Sequence, residues 1–279
     1  MPSEVLRILC SLILSFALTQ GLPTNSQPLT QAQKRCGLRS WSVPLNNATQ
    51  KSSFDIDHFR AYPDAFPWVV KLVLTHASDQ DQHLLLCTGA ALSEFVAIFP
   101  AHCVHGNDKS RLLIVQNQLT RSKSQEFSVE NVIIHPNFIF KHPAFEHDLA
   151  LLKISASGNV GFGLDRVACL PEFDEDPYDA CQVANFFPDK TQPEHYSLLS
   201  YWLTFGPSEA CMETPHLRGY VNSSLSILCS EEDKCQTFIQ GPVFCPDPES
   251  DKGGVYDLVG LSTGSNNWCN VGAYTRIAR

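Results

Sequence analysis

Three short segments contain the residue types that acid–base or nucleophilic catalysis needs. His102 stands directly before Cys103 at the end of an apolar run, and Asp148 begins a run that looks like a buried strand. An imidazole oriented by a carboxylate can take a proton from an attacking hydroxyl. The third segment, 235–245, reads Cys-Gln-Thr-Phe-Ile-Gln-Gly-Pro-Val-Phe-Cys. Ile239 at its centre has no proton to give up and no lone pair with which to attack.

The elements around these segments are predicted to be strands. From Trp68 onward, leucine-rich or β-branched runs recur between turn signals, and no long stretch has the 3.6-residue period of a helix. This pattern is typical of an all-β sandwich or barrel. The predicted strand runs are 68–75, 84–87, 95–99, 111–116, 131–134, 149–154, 181–186, 242–245 and 256–261.

The composition allows a sizeable core and argues against one class of partner. The chain has 279 residues, of which 43% are hydrophobic and 18% charged, as expected of one large all-β domain or two small ones. Its formal net charge is −9. An acidic chain lacks the electrostatic footprint of a nucleic-acid-binding protein, so we expect no nucleic-acid partner.

The N-terminus has the pattern of a secretory signal, predicted as residues 1–21. Arg7 precedes an uncharged apolar stretch, 8–19, which is too short to cross a bilayer, and small residues flank a cut after Gly21. A short buried helix is the alternative. We therefore expect a secreted, extracellular protein without membrane association, with residues 22–54 as a lead segment. Asn47 and Asn222 begin glycosylation sequons.

The cysteines favour disulfides over metal binding. Of the 11 cysteines, Cys10 lies in the predicted signal, and the remaining ten are an even number without any CxxC pair. In an oxidising compartment this predicts five disulfides. His135, His142 and His147 raise the alternative of a metal site, but their spacing fits no known ligand pattern. We expect no metal and no cofactor.

The order of these segments resembles the chymotrypsin/trypsin family of serine proteases over about residues 36–277. Ala-His-Cys at 101–103, Asp-Leu-Ala-Leu-Leu at 148–152 and Cys-Gln followed by Gly241-Pro242 carry the resemblance. It implies two six-stranded Greek-key β-barrels in a domain at 55–279, with the family's C-terminal helix missing or truncated. It also implies that His102 is the general base and Asp148 the acid that orients it, or that the two persist as a structural pair.

The third segment departs from the family pattern at three consecutive positions. Where the family has Gly-Asp-Ser, this chain has Thr237, Phe238 and Ile239. The resemblance implies that the nucleophile, the acid that pairs with the activated N-terminus, and an unhindered oxyanion-hole glycine are all replaced. The region after Lys51 also lacks the Ile-Val-Gly-Gly-like activation sequence. The expectation is a pseudoenzyme, because loss of nucleophile and oxyanion hole removes the chemistry.

The resemblance also implies disulfide pairs and a specificity pocket. The pairs carried over from the family are Cys36–Cys169, Cys87–Cys103, Cys181–Cys245, Cys211–Cys229 and Cys235–Cys269. The implied pocket-lining residues are Asp233, Lys234, Ser262, Thr263 and Gly264. Asp233 would bind a basic side chain unless the adjacent Lys234 neutralises it. Thr263 is matched to the family's tryptophan, and Ser262 to the residue that supports the catalytic aspartate.

The functional expectation is a binding or regulatory cofactor in an extracellular proteolytic cascade, for example in innate immunity. The details resemble secreted serine protease homologues of arthropods, of the masquerade-like type but without a clip domain. The expected partner is an extracellular protease or zymogen. One alternative is an active hydrolase with a displaced nucleophile, Thr237 or Ser262. Another is a decoy for reversible protease inhibitors.

Overall fold

The structure is a computed structural model that describes thirteen parts of the chain. They are 36–38, 61, 65–75, 83–116, 124–141, 144–155, 161–171, 181–188, 196–206, 227–231, 241–247, 254–265 and 271–277. These residues form strands and short 3-10 turns, with no α-helix among them, and no described helix is long and apolar enough to cross a bilayer. The predicted all-β class is therefore confirmed.

The strands are numbered here in chain order. They are β1 Val69–Thr75, β2 His83–Ser93, β3 Val96–Phe99, β4 Leu112–Gln116, β5 Gln125–Ile134, β6 Ile139–Lys141, β7 Ala144–Glu146, β8 Ala150–Ile154, β9 Cys181–Pro188, β10 Tyr196–Leu203, β11 Phe205–Gly206, β12 Ile227–Glu231, β13 Pro242–Pro246, β14 Tyr256–Ser265 and β15 Val271–Arg276. The 3-10 turns are Ala101–Cys103, Lys109–Arg111 and Leu164–Arg166.

The first barrel is closed and has the strand order β1-β2-β3-β8-β5-β4, with every pair antiparallel. Strand β8 shows why this stretch is a strand, because its residues alternate between buried and half-buried positions. Gly89 in β2 lies so close to β3 that a Cβ would collide with the Ile98 carbonyl and the Phe99 ring. The Cys-Thr-Gly sequence thus brings β2 and β3 into close contact.

The second barrel-like sheet has the order β10-β9-β13-β14-β15-β12-β11. Its two end strands, β10 and β11, are separated in the chain by Thr204 alone, so the two ends of the sheet are covalently joined. Counted as one interrupted strand, they make this sheet six-stranded, as predicted. Strand β14 also pairs with β13.

An apolar layer joins the two barrels. The Phe66 ring stacks on Phe244 with centroids 5.7 Å apart, and Trp68 packs edge-on against Phe244 at 5.5 Å. All three side chains are fully buried, together with Ile98 of the first barrel and Leu261 of the second. Burial of these rings fixes the relative position of the barrels, and the site lies where they meet.

Three of the predicted disulfides are confirmed: Cys36–Cys169, Cys87–Cys103 and Cys181–Cys245. Cys229 is also disulfide-bonded. The partner predicted for it, Cys211, and the pair Cys235–Cys269 lie outside the described residues.

The tether at Cys36 is reinforced by backbone contacts. The N–H of Gly37 donates to the Val167 carbonyl at 2.8 Å, and the Gly37 carbonyl accepts from the Tyr256 N–H at 3.0 Å. Gly37 has φ 64°, and a Cβ there would collide with the Tyr256 carbonyl. A glycine is required at this position for both reasons. Residues 36 and 37 are therefore held to the rest of the described structure by one disulfide and two hydrogen bonds.

Candidate active site

His102 is positioned by a tight turn between β3 and β4. The 3-10 turn Ala101–Cys103 follows Pro100, and the His105 N–H donates to the Ala101 carbonyl at 2.9 Å. The disulfide from Cys103 to Cys87 ties this turn to β2. The imidazole is 23% exposed, so it is held by the turn and still reaches the surface of the cleft.

Asp148 is completely buried and accepts three hydrogen bonds. Its Oδ1 accepts from the His102 backbone N–H at 2.8 Å, and its Oδ2 contacts His102 Nδ1 at 2.6 Å. The Thr263 hydroxyl donates to Oδ2 at 2.9 Å. A buried carboxylate needs such partners to offset its lost hydration. With the carboxylate on Nδ1, the proton of the neutral ring is held there, and Nε2 carries the lone pair.

The role of Thr263 differs from the sequence-based expectation. We matched Ser262 to the residue that supports the aspartate and Thr263 to a pocket tryptophan, but it is Thr263 that contacts Asp148. Ser262 instead lines the cleft, and its N–H donates to the Gly241 carbonyl at 3.1 Å. The cause is a register irregularity in the pairing of β14 with β15, between Ser262 and Gly264, beside which Thr263 turns inward and is 1% exposed.

A cleft between the barrels contains the exposed edge of His102. Residues of both barrels line it, among them Leu86, Cys87, Thr88, His102, Asn185 and Ser262. Thr88 and Asn185 were not predicted as site residues. The Thr88 hydroxyl donates to the Asn185 side-chain carbonyl, which also accepts the Phe186 N–H at 2.8 Å. This contact joins β2 to β9 across a separation of 97 residues, so no local sequence signal could reveal it.

Nε2 of the His102 ring lies close to the Cys87–Cys103 disulfide. His102 Nε2 lies 3.4 Å from Cys103 Sγ and 4.0 Å from Cys87 Sγ. Cys103 is buried, and Cys87 is half-buried and lines the cleft. The site therefore combines a carboxylate, an imidazole and a disulfide in direct succession.

Lys71 lies against Phe186, one of the residues that line the cleft. Lys71 Nζ lies over the rings of Phe186, at 5.1 Å, and Tyr196, at 5.5 Å. Burial lowers the pKa of Lys71, while the charge of Glu126 opposes that shift. The ammonium thus joins β1 of the first barrel to β9 and β10 of the second through cation–π contacts.

The histidines considered as metal ligands do not form a ligand set in the described part. The rings of His135 and His147 stack face to face, with centroids 4.8 Å apart and planes 11° from parallel. Neither ring belongs to a group of three or more potential metal ligands among the described residues. His142 lies outside the described residues.

Several predicted site residues lie outside the described residues. They are Thr237, Phe238, Ile239, Asp233, Lys234 and the sequon residues Asn47 and Asn222. Gly264 is described and pairs with Ala273 in the sheet. Gly241, two positions after Ile239 in the sequence, lines the same cleft as His102.

The comparisons with known proteins agree with this geometry. The sequence model of the family described as Trypsin matches residues 55–279. The chain belongs to the trypsin family. The two antiparallel barrels are the fold of this family, and the contact between His102 and Asp148 lies beside the cleft between them.

Three curated relatives are similar to this trypsin-family chain. Urokinase-type plasminogen activator of Gallus gallus is 23% identical, over 92% of this chain and 60% of its own length. Serine protease grass of Drosophila melanogaster is 26% identical over 75% and 64%. Ovochymase-2 of Mus musculus is 32% identical, over 39% of this chain and 17% of its own length. In each case the chain spans less than two thirds of the relative's length.

Proposed function

We propose that this trypsin-family chain is a secreted pseudoprotease that binds or regulates a protein of an extracellular proteolytic cascade. The observation that carries the proposal is Ile239. It stands two positions before Gly241, where the family has its serine, while His102 and Asp148 keep their catalytic arrangement. The base retains its geometry, but the residue from which it would take a proton is a hydrocarbon.

The neighbouring substitutions support loss of catalysis rather than a shifted mechanism. Thr237 and Phe238 replace the oxyanion-hole glycine and the acid that anchors an activated N-terminus. Removal of one oxyanion donor alone costs about 10²–10³ in rate. The segment after Lys51 also lacks the glycine pair that would form the activated N-terminus. Both halves of the switch are altered together, as expected if no activation is needed.

A protein partner is favoured by what remains of the scaffold. The buried core, three confirmed disulfides and the ordered cleft are retained although the nucleophile is replaced. One relative is by name a plasminogen activator, so it acts on another protein. We infer that this chain is secreted and uses the same kind of surface to bind a protease or zymogen, as masquerade-like homologues do.

A fluorophosphonate probe tests the loss of catalysis, because it labels only an activated nucleophile. We expect no labelling of the full chain, whether intact or cleaved after Lys51. The triple variant Thr237→Gly, Phe238→Asp, Ile239→Ser should gain labelling after such cleavage when Ser52→Ile, Ser53→Val, Phe54→Gly and Asp55→Gly also restore the activation sequence. A further His102→Ala change should abolish that labelling. Labelling of the unmodified chain that His102→Ala removes would overturn the proposal.

The binding role needs a second experiment. The tagged full chain is used to capture partners from its native extracellular fluid. A different disulfide-bonded domain of the trypsin family serves as the control bait. We expect a protease or zymogen to be retained by this chain alone. Retention of inhibitors only would favour the decoy function instead.

One observation favours a second candidate, a hydrolase with a displaced nucleophile. Ser262 lines the same cleft as His102, and its backbone is fixed by the hydrogen bond to Gly241. If Ser262 were the nucleophile, probe labelling of the unmodified chain would disappear in Ser262→Ala as well as in His102→Ala.

A further inference from the structure

Three potential metal ligands meet at the edge of the cleft. The Sγ atoms of Cys87 and Cys103 and Nε2 of His102 all lie within 4.8 Å of one another. As long as the two sulfurs are bonded to each other, neither is a thiolate, and the group cannot hold a cation. The arrangement changes character if that bond is opened.

We propose that reduction of the Cys87–Cys103 disulfide creates a Cys₂His site for Zn²⁺, with His102 Nε2 as the nitrogen ligand. Nothing in this proposal uses segment 235–245, so it stands or falls independently of the pseudoprotease function. It assigns the retained His102–Asp148 pair a role that needs no nucleophile.

The distances suit a tetrahedral zinc ion. With Zn–S near 2.3 Å and Zn–N near 2.0 Å, tetrahedral ligand separations are about 3.6 Å for S to N and about 3.8 Å for S to S. The observed separations from His102 Nε2 are 3.4 Å to Cys103 Sγ and 4.0 Å to Cys87 Sγ. Once the disulfide is opened, the two sulfurs need only move apart to ordinary van der Waals contact. That contact distance is close to the S-to-S separation of about 3.8 Å in a tetrahedral zinc site.

Asp148 already has the position of a supporting residue for such a site. Metal-binding histidines usually donate their other ring N–H to a carboxylate, which fixes the tautomer and the ring plane. Here Nδ1 lies 2.6 Å from Asp148 Oδ2, and that oxygen also accepts from Thr263 at 2.9 Å. Nε2 is thereby the nitrogen left with the lone pair, 3.4 Å from Cys103 Sγ and 4.0 Å from Cys87 Sγ. The fourth zinc position would face the cleft, where a water can bind.

The opening step requires a two-electron reductant, which we specify as a dithiol. Its thiolate attacks Sγ of Cys87, the half-buried sulfur that lines the cleft. Cys103 leaves as the thiolate and takes up from solvent the proton that the attacking thiol released. The second thiol of the reductant then displaces Cys87 and forms the reductant's own disulfide. Zinc binding releases the protons held by the two cysteines to solvent.

The test uses the folded full chain treated with a dithiol immobilised on resin, which is removed before metal is added. Alkylation and mass spectrometry identify the opened bridge. We expect Cys87–Cys103 to open while Cys181–Cys245, whose cysteines are 0% exposed, stays closed. Co²⁺ should then give the visible bands of a tetrahedral thiolate site at one equivalent per chain, and Zn²⁺ should displace it.

Variants identify the ligands. Cys87→Ser with Cys103→Ser should abolish the cobalt spectrum, whereas Cys36→Ser with Cys169→Ser should leave it intact. Asp148→Asn should lower zinc affinity by about 10–100-fold, and His102→Ala should lower it further. Near-UV circular dichroism checks that each variant is folded. If a variant does not fold, the cobalt spectrum of the reduced, unmodified chain decides the question.

Three outcomes would overturn the proposal. They are a Cys87–Cys103 bridge that stays closed while the chain is folded, an octahedral cobalt spectrum after it opens, and unchanged affinity in folded His102→Ala.

Discussion

The hydrogen bond from Thr263 to Asp148 leads to a quantitative prediction. Thr263→Val keeps the volume and the branched shape of the side chain but removes the hydroxyl that donates to the carboxylate at 2.9 Å. Thr263 is 1% exposed and Asp148 0%, so water does not replace the lost donor. A hydrogen bond to a charged group contributes about 1.5–3 kcal/mol, and we expect the free energy of unfolding to fall by that amount.

Urea denaturation measures this loss, and thermal melting provides a second estimate. For a chain of this size, the expected loss corresponds to a decrease in Tm of about 3–12 °C. Thr75→Val is the matched control, because the Thr75 hydroxyl donates to the neutral carbonyl of Arg111 at 3.2 Å. Its loss should cost about 0.5–1.5 kcal/mol.

Ser262→Ala separates the two assignments of the supporting residue. If Thr263 holds Asp148, this change should cost less than Thr263→Val. A loss in Thr263→Val no larger than that in Thr75→Val, or a larger loss in Ser262→Ala, would refute the reasoning.

Three further predictions follow from the fold. The double variant Cys36→Ser, Cys169→Ser removes a disulfide that closes a loop of 133 positions, and it should lower the free energy of unfolding by about 5 kcal/mol. Removal of the Cys87–Cys103 disulfide, which closes a loop of 16 positions, should lower it by about 3 kcal/mol. Urea denaturation measures both values. Phe244→Ala should cost about 3–5 kcal/mol because its ring is 0% exposed, whereas Phe140→Ala, 54% exposed, should stay within about 0.5. Burial lowers the pKa of Lys71, so the unfolded chain binds more protons in the alkaline range. Stability should therefore rise with pH toward the ordinary lysine pKa, and Lys71→Met should lose that rise.

Strand prediction succeeded where apolar residues are contiguous and was incomplete where they alternate. The predicted runs 68–75 and 256–261 correspond to β1 and β14, although β14 continues to Ser265. Strand β5 begins at Gln125, six positions before the predicted run. Its first residues alternate between half-exposed polar and buried apolar positions, as in a strand with one solvated face. A search for continuous apolar runs does not detect such a pattern.

The candidate site was predictable to the extent that its residues lie in local motifs. His102 and Asp148 stand in short sequences that resemble the family, and the structure brings them to 2.6 Å although 46 positions separate them. Thr263 was misassigned because the irregularity in the β14–β15 register depends on the partner strand. Thr88 and Asn185 were missed because their contact joins different barrels.

The sequence by itself determined the all-β class and the family, since both depend on residue types and their order. Three disulfides were also predicted from the sequence, because their cysteines match positions of the family's disulfides. The tertiary structure decided which hydroxyl supports Asp148, what lines the cleft, and that Nε2 of His102 lies beside two sulfurs. The first two depend on strands far apart in the chain, and the third on the disulfide that ties the His102 turn to β2. Only barrel closure and the burial of the layer between the barrels set the first two.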